Sequence, residues 1–156
     1  MLENHLNTFM KIQKNKILST VIIVNYNNEK YLKKCLNSVL QQTNVNNEII
    51  FVDDKSTDNS LKIVKKYKNK ITILKNPSRN KSKHGSYNQM NSYYRGFLKS
   101  KGKYIFFLDS DDYFKKNKLK EVINYFEKNL DTNVVFDLAI LKNKNKSTKL
   151  KFKQKK

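Results

Sequence analysis

The chain has 156 residues, of which 38% are hydrophobic, and a formal net charge of +20. This length favours one domain with a real core, and a count of three glycines and one proline argues against long flexible linkers. We find no signal peptide and no stretch near the roughly 20 apolar residues of a spanning helix, so any membrane contact is expected from outside the bilayer.

The single cysteine, Cys35, excludes an intrachain disulfide. It lies on the apolar face of a predicted helix, which indicates a buried structural thiol instead of a nucleophile. The absence of any cysteine pair fits a reducing environment, and we therefore expect a cytoplasmic protein, with the inner face of the membrane as an open alternative.

The basic charge is uneven, because residues 142–156 hold eight lysines and no acid. Such charge attracts nucleic acid, anionic lipid and anionic substrates without specificity. No recognition-helix motif, zinc-finger spacing or aromatic RNA-binding signature accompanies it. We expect no specific nucleic-acid partner, whereas peripheral contact with a membrane stays open.

In chain order, a polar arm (residues 1–18) precedes an alternation of strand and helix patterns, and a lysine-rich tail (residues 142–156) follows it. Dense β-branched and aromatic runs predict the strands, and apolar residues at helical spacing predict the helices. Strands are predicted at residues 19–24, 48–52, 71–74, 104–108 and 134–141. Helices are predicted at residues 29–41, 61–67, 88–100 and 119–126, with a basic loop at residues 77–87.

Alternating strands and helices favour an α/β domain over residues 19–141, with a mostly parallel sheet, right-handed crossovers and helices on both faces. In such sheets, ligands bind outside the carboxyl ends of the strands, where the strand order switches. Three polar loops follow predicted strands, at residues 25–28, 53–57 and 109–112. Their common placement predicts one binding site.

The loop after the fourth strand carries three carboxylates within four residues, Asp109, Asp111 and Asp112. These groups repel one another unless a cation lies among them. Mg²⁺ and Mn²⁺ prefer oxygen ligands and often bridge carboxylates to substrate phosphates. No glycine-rich phosphate loop is present to take this role. The alternative is a solvated acidic turn that caps the next helix.

Four segments, at residues 20–27, 31–43, 48–60 and 102–112, resemble family 2 glycosyltransferases with the GT-A fold. The resemblance extends over about residues 19–137. It implies a Rossmann-like domain that binds a nucleotide-sugar donor, with UDP as the expected nucleotide. It further implies metal-dependent transfer of the sugar to a glycan or lipid-linked acceptor in bacterial cell-surface polysaccharide synthesis.

The resemblance also implies roles for particular residues. The turn at Val24, Asn25 and Tyr26 would lie against the nucleotide base, and Asp54 would accept a hydrogen bond from the base, typically uracil. Asp53 is expected to hold its own turn instead.

At the Asp-x-Asp motif, Asp109 and Ser110 would lie near the nucleotide, and Asp111 with Asp109 would bind Mn²⁺ or Mg²⁺, with Asp112 behind them. Lys83 is the first candidate for a cation that approaches the nucleotide, followed by Arg79 and Lys81; the alternative is that these are solvated loop charges.

Two departures from the family pattern matter. Lys55 stands where the family commonly has a glycine, so a changed φ is one expectation at this turn. In the family, the acceptor-binding half and the catalytic base follow the metal motif by many tens of residues, whereas only 45 residues follow Asp111 here. Asp137 is the last acid, and we expect a structural role for it, which leaves the catalytic base unknown.

We therefore expect a domain that stops after the donor-binding half: a truncated product, a fragment, or a chain completed by a second chain. Two other functions stay open at this point. One is a nucleotide-sugar-binding module without catalysis, and the other is a basic protein that binds nucleic acid or a membrane surface.

Overall fold

The computed structural model describes residues 18–42, 46–80, 84–136, 140–143 and 146–149. The chain forms two compact units, Met1–Glu121 and Val122–Lys156. In the first unit, four strands form a parallel sheet in the order β3-β2-β1-β4. Their bounds are β1 Ser19–Asn25, β2 Asn47–Asp53, β3 Thr72–Lys75 and β4 Tyr104–Asp109.

Helices follow the strands as the apolar spacing predicts. They are α1 Glu29–Leu40, α2 Ser60–Val64 with a 3₁₀ turn Lys65–Tyr67, α3 Gly85–Phe97 and α4 Lys118–Lys128. None of the helices in the described ranges is long and apolar enough to cross a membrane.

The third helix begins earlier than its apolar pattern suggests. We predicted a loop up to residue 87 and a helix from residue 88, but α3 begins at Gly85. The imidazole of His84 accepts a hydrogen bond from the Ser86 amide at 3.3 Å and caps the first turn. The capping side chain adds a turn whose one large hydrophobic residue, Tyr87, is exposed, so the apolar pattern did not show this turn and this part of the prediction was wrong.

Both faces of the two central strands, β1 and β2, are buried. On one face, Ile22, Val24, Ile50 and Val52 form a cluster against which Leu74, Ile105 and Tyr93 of α3 pack. The alternating residues Val21, Ile23 and Phe51 point to the other face and are also fully inaccessible. This arrangement confirms the predicted α/β class with a parallel sheet.

The helix α3 lies close against the sheet at Gly96. A Cβ at this position would lie 2.4 Å from Cγ2 of Ile22 and 3.3 Å from Cγ2 of Val52. Only a hydrogen atom fits between the helix and the strands there. This close approach holds the side chains of α3 over the carboxyl ends of β1 and β4.

The predicted fifth parallel strand at residues 134–141 was wrong. Residues 134–136 have no regular structure, and Phe136 is 93% exposed. The strand β5 (Ile140–Asn143) instead pairs antiparallel with β6 (Lys146–Lys149) inside the second unit. Pairing with a strand a few residues away closes a short loop and costs little conformational entropy. The apolar pattern of a segment does not indicate which strand it will pair with.

The predicted boundaries of the arm, the domain and the tail stay predictions. Residues 1–17 of the arm, and Asp137, lie outside the described residues, as do residues 144–145 and 150–156 of the tail.

Candidate functional site

A cleft of about 250 Å³ opens at the carboxyl ends of β1, β2 and β4. The chain leaves β1 in one direction to β2 and β3 and returns on the other side to β4, so the strand order switches beside β1. This is the position at which open α/β sheets bind ligands. The cleft is lined by Val24, Asn25, Tyr26, Asn28, Asp54, Arg79, Gly85, Gln89, Ser92, Asp109, Ser110 and Asp111.

Strand register brings the three predicted loops together. Asn25 lies opposite Asp53, and Val24 lies opposite Asp109. Past the strand ends, the Asp54 amide donates to the Asn25 carbonyl at 2.8 Å, and the Ser110 amide donates to the Val24 carbonyl at 3.1 Å. The loops are therefore anchored to one another by the backbone.

Seven of the eight nucleotide or metal residues that we predicted line this cleft: Val24, Asn25, Tyr26, Asp54, Asp109, Ser110 and Asp111. The eighth, Lys83, lies outside the described residues, as does Lys81. What these residues bind stays a prediction at this point, because proximity alone names no ligand.

Asp53 holds the turn after β2, as expected. Its carboxylate accepts from the Asn25 amide at 3.1 Å and from the Ser56 backbone amide at 3.0 Å. Nδ2 of Asn25 also donates to Oγ of Ser56 at 2.9 Å. The Asn25 Oδ1 atom, however, is buried and has no hydrogen-bond partner within the described chain. An unsatisfied buried acceptor on the cleft wall favours a ligand that donates to it.

Lys55 has a φ of 62°, in the left-handed region that favours glycine. The residues on either side of Lys55 are fixed: Asp54 by its ion pair with Arg79, and Ser56 by the hydrogen bond of its amide to the Asp53 carboxylate. The turn between them therefore requires this backbone conformation at Lys55. The turn thus keeps a glycine-type conformation although the residue is a lysine.

Asp54 is buried and paired with a cation. Oδ2 of its carboxylate accepts from the Arg79 guanidinium in a close ion pair, and Oδ1 accepts from Nδ2 of Asn76 at 2.8 Å. Arg79 also lies over the Tyr26 ring, with Cζ 3.5 Å from its centroid. Arg79, which the sequence analysis ranked behind Lys83, is thus the one of the three candidate cations that lies in the described part of the chain, and it lines the cleft.

Asn76 connects this pair to α3, and our sequence reasoning missed it. Its Nδ2 atom also donates to Oγ of Ser92 at 2.8 Å, and its Oδ1 accepts from the Arg95 guanidinium at 2.6 Å. Asn76 directly follows β3. Polar residues that follow the other predicted strands were selected as site candidates, and the same criterion applied to β3 would have identified Asn76.

Asp109 is oriented by two side chains of α3. Its Oδ1 atom accepts from Nε2 of Gln89 and from the hydroxyl of Tyr93, each at 2.6 Å. Burial, and then the hydrogen bond to Asp109, raises the pKa of Tyr93 well above its ordinary value. Tyr93 consequently remains a donor, and Oδ2 of Asp109 is left for other partners. The spacing of four residues between Gln89 and Tyr93 was the one sequence signal for this pair.

The carboxylates of the acidic turn repel one another. Burial raises the pKa of Asp112, and the charges of Asp111 and Asp109 raise it further. In the parts of the chain that are described, no group of three or more His, Cys, Asp or Glu side chains could hold a metal. Two carboxylates on one cleft nevertheless fit a Mg²⁺ or Mn²⁺ ion that completes its shell with phosphates and water.

Cys35 is a structural thiol, as expected. It is fully buried, and burial together with the charges of Asp112, Asp111 and Asp109 raises its pKa to about 12. Its Sγ lies 3.7 Å from the backbone carbonyl of Asp109. The thiol packs beneath the acidic turn and stays protonated at neutral pH.

Comparison with known proteins identifies the class. Residues 20–153 match the family model described as "Glycosyl transferase family 2". The chain therefore belongs to this family, which confirms the resemblance inferred from the four sequence segments.

Two curated relatives and one solved structure illustrate the similarity. An uncharacterised glycosyltransferase of Nostoc is 34% identical over 130 residues, which cover 82% of this chain and 38% of that protein. The poly(ribitol-phosphate) β-N-acetylglucosaminyltransferase TarS of Staphylococcus aureus is 35% identical over 110 residues, which cover 69% and 18%. The chain thus spans well under half the length of these relatives.

The crystal structure of S. aureus TarS residues 1–349 in complex with UDP-GlcNAc superposes with a TM-score of 0.60 and 31% identity. The match covers 71% of this chain and 31% of that one. This similarity confirms the predicted GT-A-like fold for the described sheet and its helices.

Proposed function

We propose that this chain is the donor-binding part of an enzyme that transfers a sugar from a UDP-sugar to a cell-surface polymer. One observation carries the proposal: seven residues chosen from separate sequence segments line a single cleft at the switch point of the sheet. The relative with UDP-GlcNAc in its crystal structure supports the choice of nucleotide.

The wall formed by β1 and β2 suits the base. Oδ1 of Asn25 is a buried acceptor without a partner in the described structure, and Asp54 presents a carboxylate beside it. A uracil ring carries one imide N–H donor, which either acceptor can bind. Arg79 neutralises Asp54 and restrains the Tyr26 ring, so this wall is ordered before the ligand arrives.

The wall formed by the acidic turn suits the diphosphate and its cation. Asp109, through the oxygen that Gln89 and Tyr93 leave available, and Asp111 would hold Mn²⁺ or Mg²⁺. When bound, such an ion acts as a Lewis acid that stabilises the negative charge on the leaving diphosphate. The residues of this chain hold the two carboxylates in place and set the position of the donor.

Transfer with inversion also requires a carboxylate that accepts the proton of the acceptor hydroxyl. Among the described residues that line the cleft, no carboxylate is free for this task, since Asp54 is paired and Asp109 and Asp111 are assigned to the cation. We propose that the base comes from residues beyond this donor-binding part, either in a longer protein or in a second chain. This base would face the reacting hydroxyl of the lipid-linked or glycan acceptor.

We further propose that transfer takes place in the cytoplasm, at the inner face of the membrane. The net charge of +20 supports this location, because the basic surface is attracted to anionic lipid headgroups.

A thermal-shift panel tests the proposal. UDP and UDP-sugars with Mn²⁺ should raise the melting temperature more than GDP or CMP, because a ligand that binds only the native state stabilises it, by about 2.7 kcal/mol at a hundredfold excess over Kd. Asp111→Asn should remove the part of the shift that depends on the metal. Asp131→Asn, which removes the same charge from an exposed position outside the cleft, is the control.

Absence of a shift with every nucleotide, with and without metal, would overturn the proposal. An equal loss in the Asp111 and Asp131 variants would overturn the assignment of the metal site while leaving nucleotide binding intact.

A further inference from the structure

A second, larger cleft of about 840 Å³ lies beside the candidate donor site. Helix α1 forms one wall, and the loop that follows the acidic turn forms the other. Its lining residues are Lys30, Lys33, Lys34, Asn37, Ser38, Gln41, Gln42, Tyr113, Phe114 and Lys116.

The lining carries four lysines and no acid. Lys30, Lys33 and Lys34 are spaced by three and four residues and therefore share one face of α1. Lys30 and Lys34 lie about 6 Å apart along the helix axis. Nζ of Lys34 lies 3.6 Å above the centroid of the Tyr113 ring, which restrains this side chain at the cleft wall.

Two polar side chains that line the cleft, Ser38 and Gln42, already have hydrogen-bond partners within the chain. Nε2 of Gln42 donates to the carbonyls of Ser38 and Lys115, each at 2.9 Å, and its Oε1 accepts from the Leu119 amide at 3.1 Å. The Ser38 hydroxyl accepts from the Phe114 amide at 3.0 Å. These two side chains are therefore held in place and are not available to contact a particular sugar or base, which leaves the lysines as the charged groups of the cleft.

The same two segments of the chain contribute residues to both clefts. Ser110 and Asp111 line the donor cleft, and Tyr113, Phe114 and Lys116 of the same loop line the basic cleft. At the other wall, Asn28 lines the donor cleft, and Lys30 at the start of α1 lines the basic one. An extended ligand in the basic cleft therefore lies next to the donor site.

We propose that the basic cleft binds the acceptor and that this acceptor is a polymer of polyol phosphates, whose backbone phosphodiesters the lysines engage. This inference rests on the proposed function, because it names the acceptor of that transfer. A repeating anion matches a row of cations over a floor with little specificity, whereas a flat membrane surface would not reach into the cleft. The relative TarS is named for action on poly(ribitol-phosphate), which is the same chemistry.

The test measures direct binding without any donor. The probe is a fluorescent ribitol-phosphate oligomer of about eight units, read by anisotropy. We expect the double variant Lys30→Glu/Lys33→Glu to bind at least tenfold more weakly. The salt dependence should fall in parallel, since each lost phosphate contact lowers the slope by about 0.7 for a single strand. Both substitutions are at exposed positions in the first turns of α1, where glutamate is favourable, so folding is retained.

The control is Lys62→Glu/Lys66→Glu, which makes the same charge change on exposed residues outside both clefts. It should bind the oligomer within threefold of the parent chain. Equal weakening in the two double variants would show a general charge effect and overturn the proposal. The proposal would also fail if single-stranded DNA of equal charge, or vesicles with anionic lipid, bound as tightly and with the same dependence on Lys30 and Lys33.

The UDP thermal shift separates this inference from the proposed function. Both double variants should keep the shift of the parent chain, because neither changes the donor cleft. A retained shift together with unchanged oligomer binding in Lys30→Glu/Lys33→Glu would overturn the acceptor assignment alone.

Discussion

The hydroxyl of Tyr93 donates a 2.6 Å hydrogen bond to Oδ1 of Asp109, and so connects the helix α3 to the first acid of the Asp-x-Asp motif. Gln89 donates to the same oxygen, so one carboxylate oxygen is saturated and the other is directed elsewhere. The helix thus sets the orientation of an acid on a different element.

Removing the Tyr93 hydroxyl should weaken binding of UDP with Mn²⁺ more than it weakens the fold. In Tyr93→Phe, the ring still packs edge-on against Phe107, at 5.0 Å between centroids, so we expect a loss of about 1 kcal/mol in unfolding free energy. The UDP and Mn²⁺ thermal shift should be measurably smaller. Tyr94→Phe, at a position 61% exposed, is the control; an equal effect from both variants would contradict the orienting role.

Breaking the ion pair between Arg79 and Asp54 should be costly. Arg79→Met leaves a buried carboxylate without its cation, and we expect a loss of about 3 kcal/mol in chemical denaturation. Adding Asp54→Asn should recover much of it, since the buried charge is then gone. Additive losses in this double-mutant cycle would show that the two groups do not interact.

The acidic turn should make stability depend on pH. Because the pKa of Asp112 is raised on folding, its contribution is complete below the unfolded value of about 3.9 and is lost as the pH rises through the folded value. Asp112→Asn should therefore raise the melting temperature at pH 7 and have little effect below about pH 4. An equal gain at both pH values would contradict this origin. Mn²⁺ with UDP should reduce the gain at pH 7, since a bound cation relieves the same repulsion.

Two glycines of α3 offer a matched pair. Gly96→Ala places a methyl group 2.4 Å from Ile22 Cγ2, and we expect a loss of about 1–3 kcal/mol from overpacking. At Gly85, a Cβ meets nothing within 4 Å. Gly85→Ala should therefore be neutral or stabilise by up to about 1 kcal/mol. Urea denaturation of both variants measures these changes, and equal stability of the two variants would contradict the close packing of α3 against the sheet at Gly96.

Lys55→Gly should stabilise the chain. The φ of 62° strains a residue with a Cβ by about 1–2 kcal/mol. Glycine removes this strain but loses more conformational entropy on folding, so we expect a net gain of about 1 kcal/mol in unfolding free energy. Lys55→Ala removes the charge and keeps the Cβ, and it should give no gain. Should both variants gain equally, charge and not backbone strain would be the cause.

Much of the architecture followed from local patterns. The run at residues 19–24 is buried on both faces, and continuous apolar strands of this type, also present at residues 104–108, predict a parallel sheet. The polar residues after these runs were identifiable as a site because parallel strands place their carboxyl ends at one edge. Asn25, Asp54 and Asp109 were found in this way.

Tertiary structure decided the partners of those residues. The ion pair of Arg79 with Asp54, and the hydrogen bonds of Gln89 and Tyr93 to Asp109, join positions 16 to 25 residues apart. No periodicity encodes such pairs, because they depend on where the loop that carries Arg79 and the helix α3 lie over the sheet. The pairing of β5 was likewise decided by an available neighbouring strand, since an apolar run specifies that a segment can be a strand but not which strand it joins.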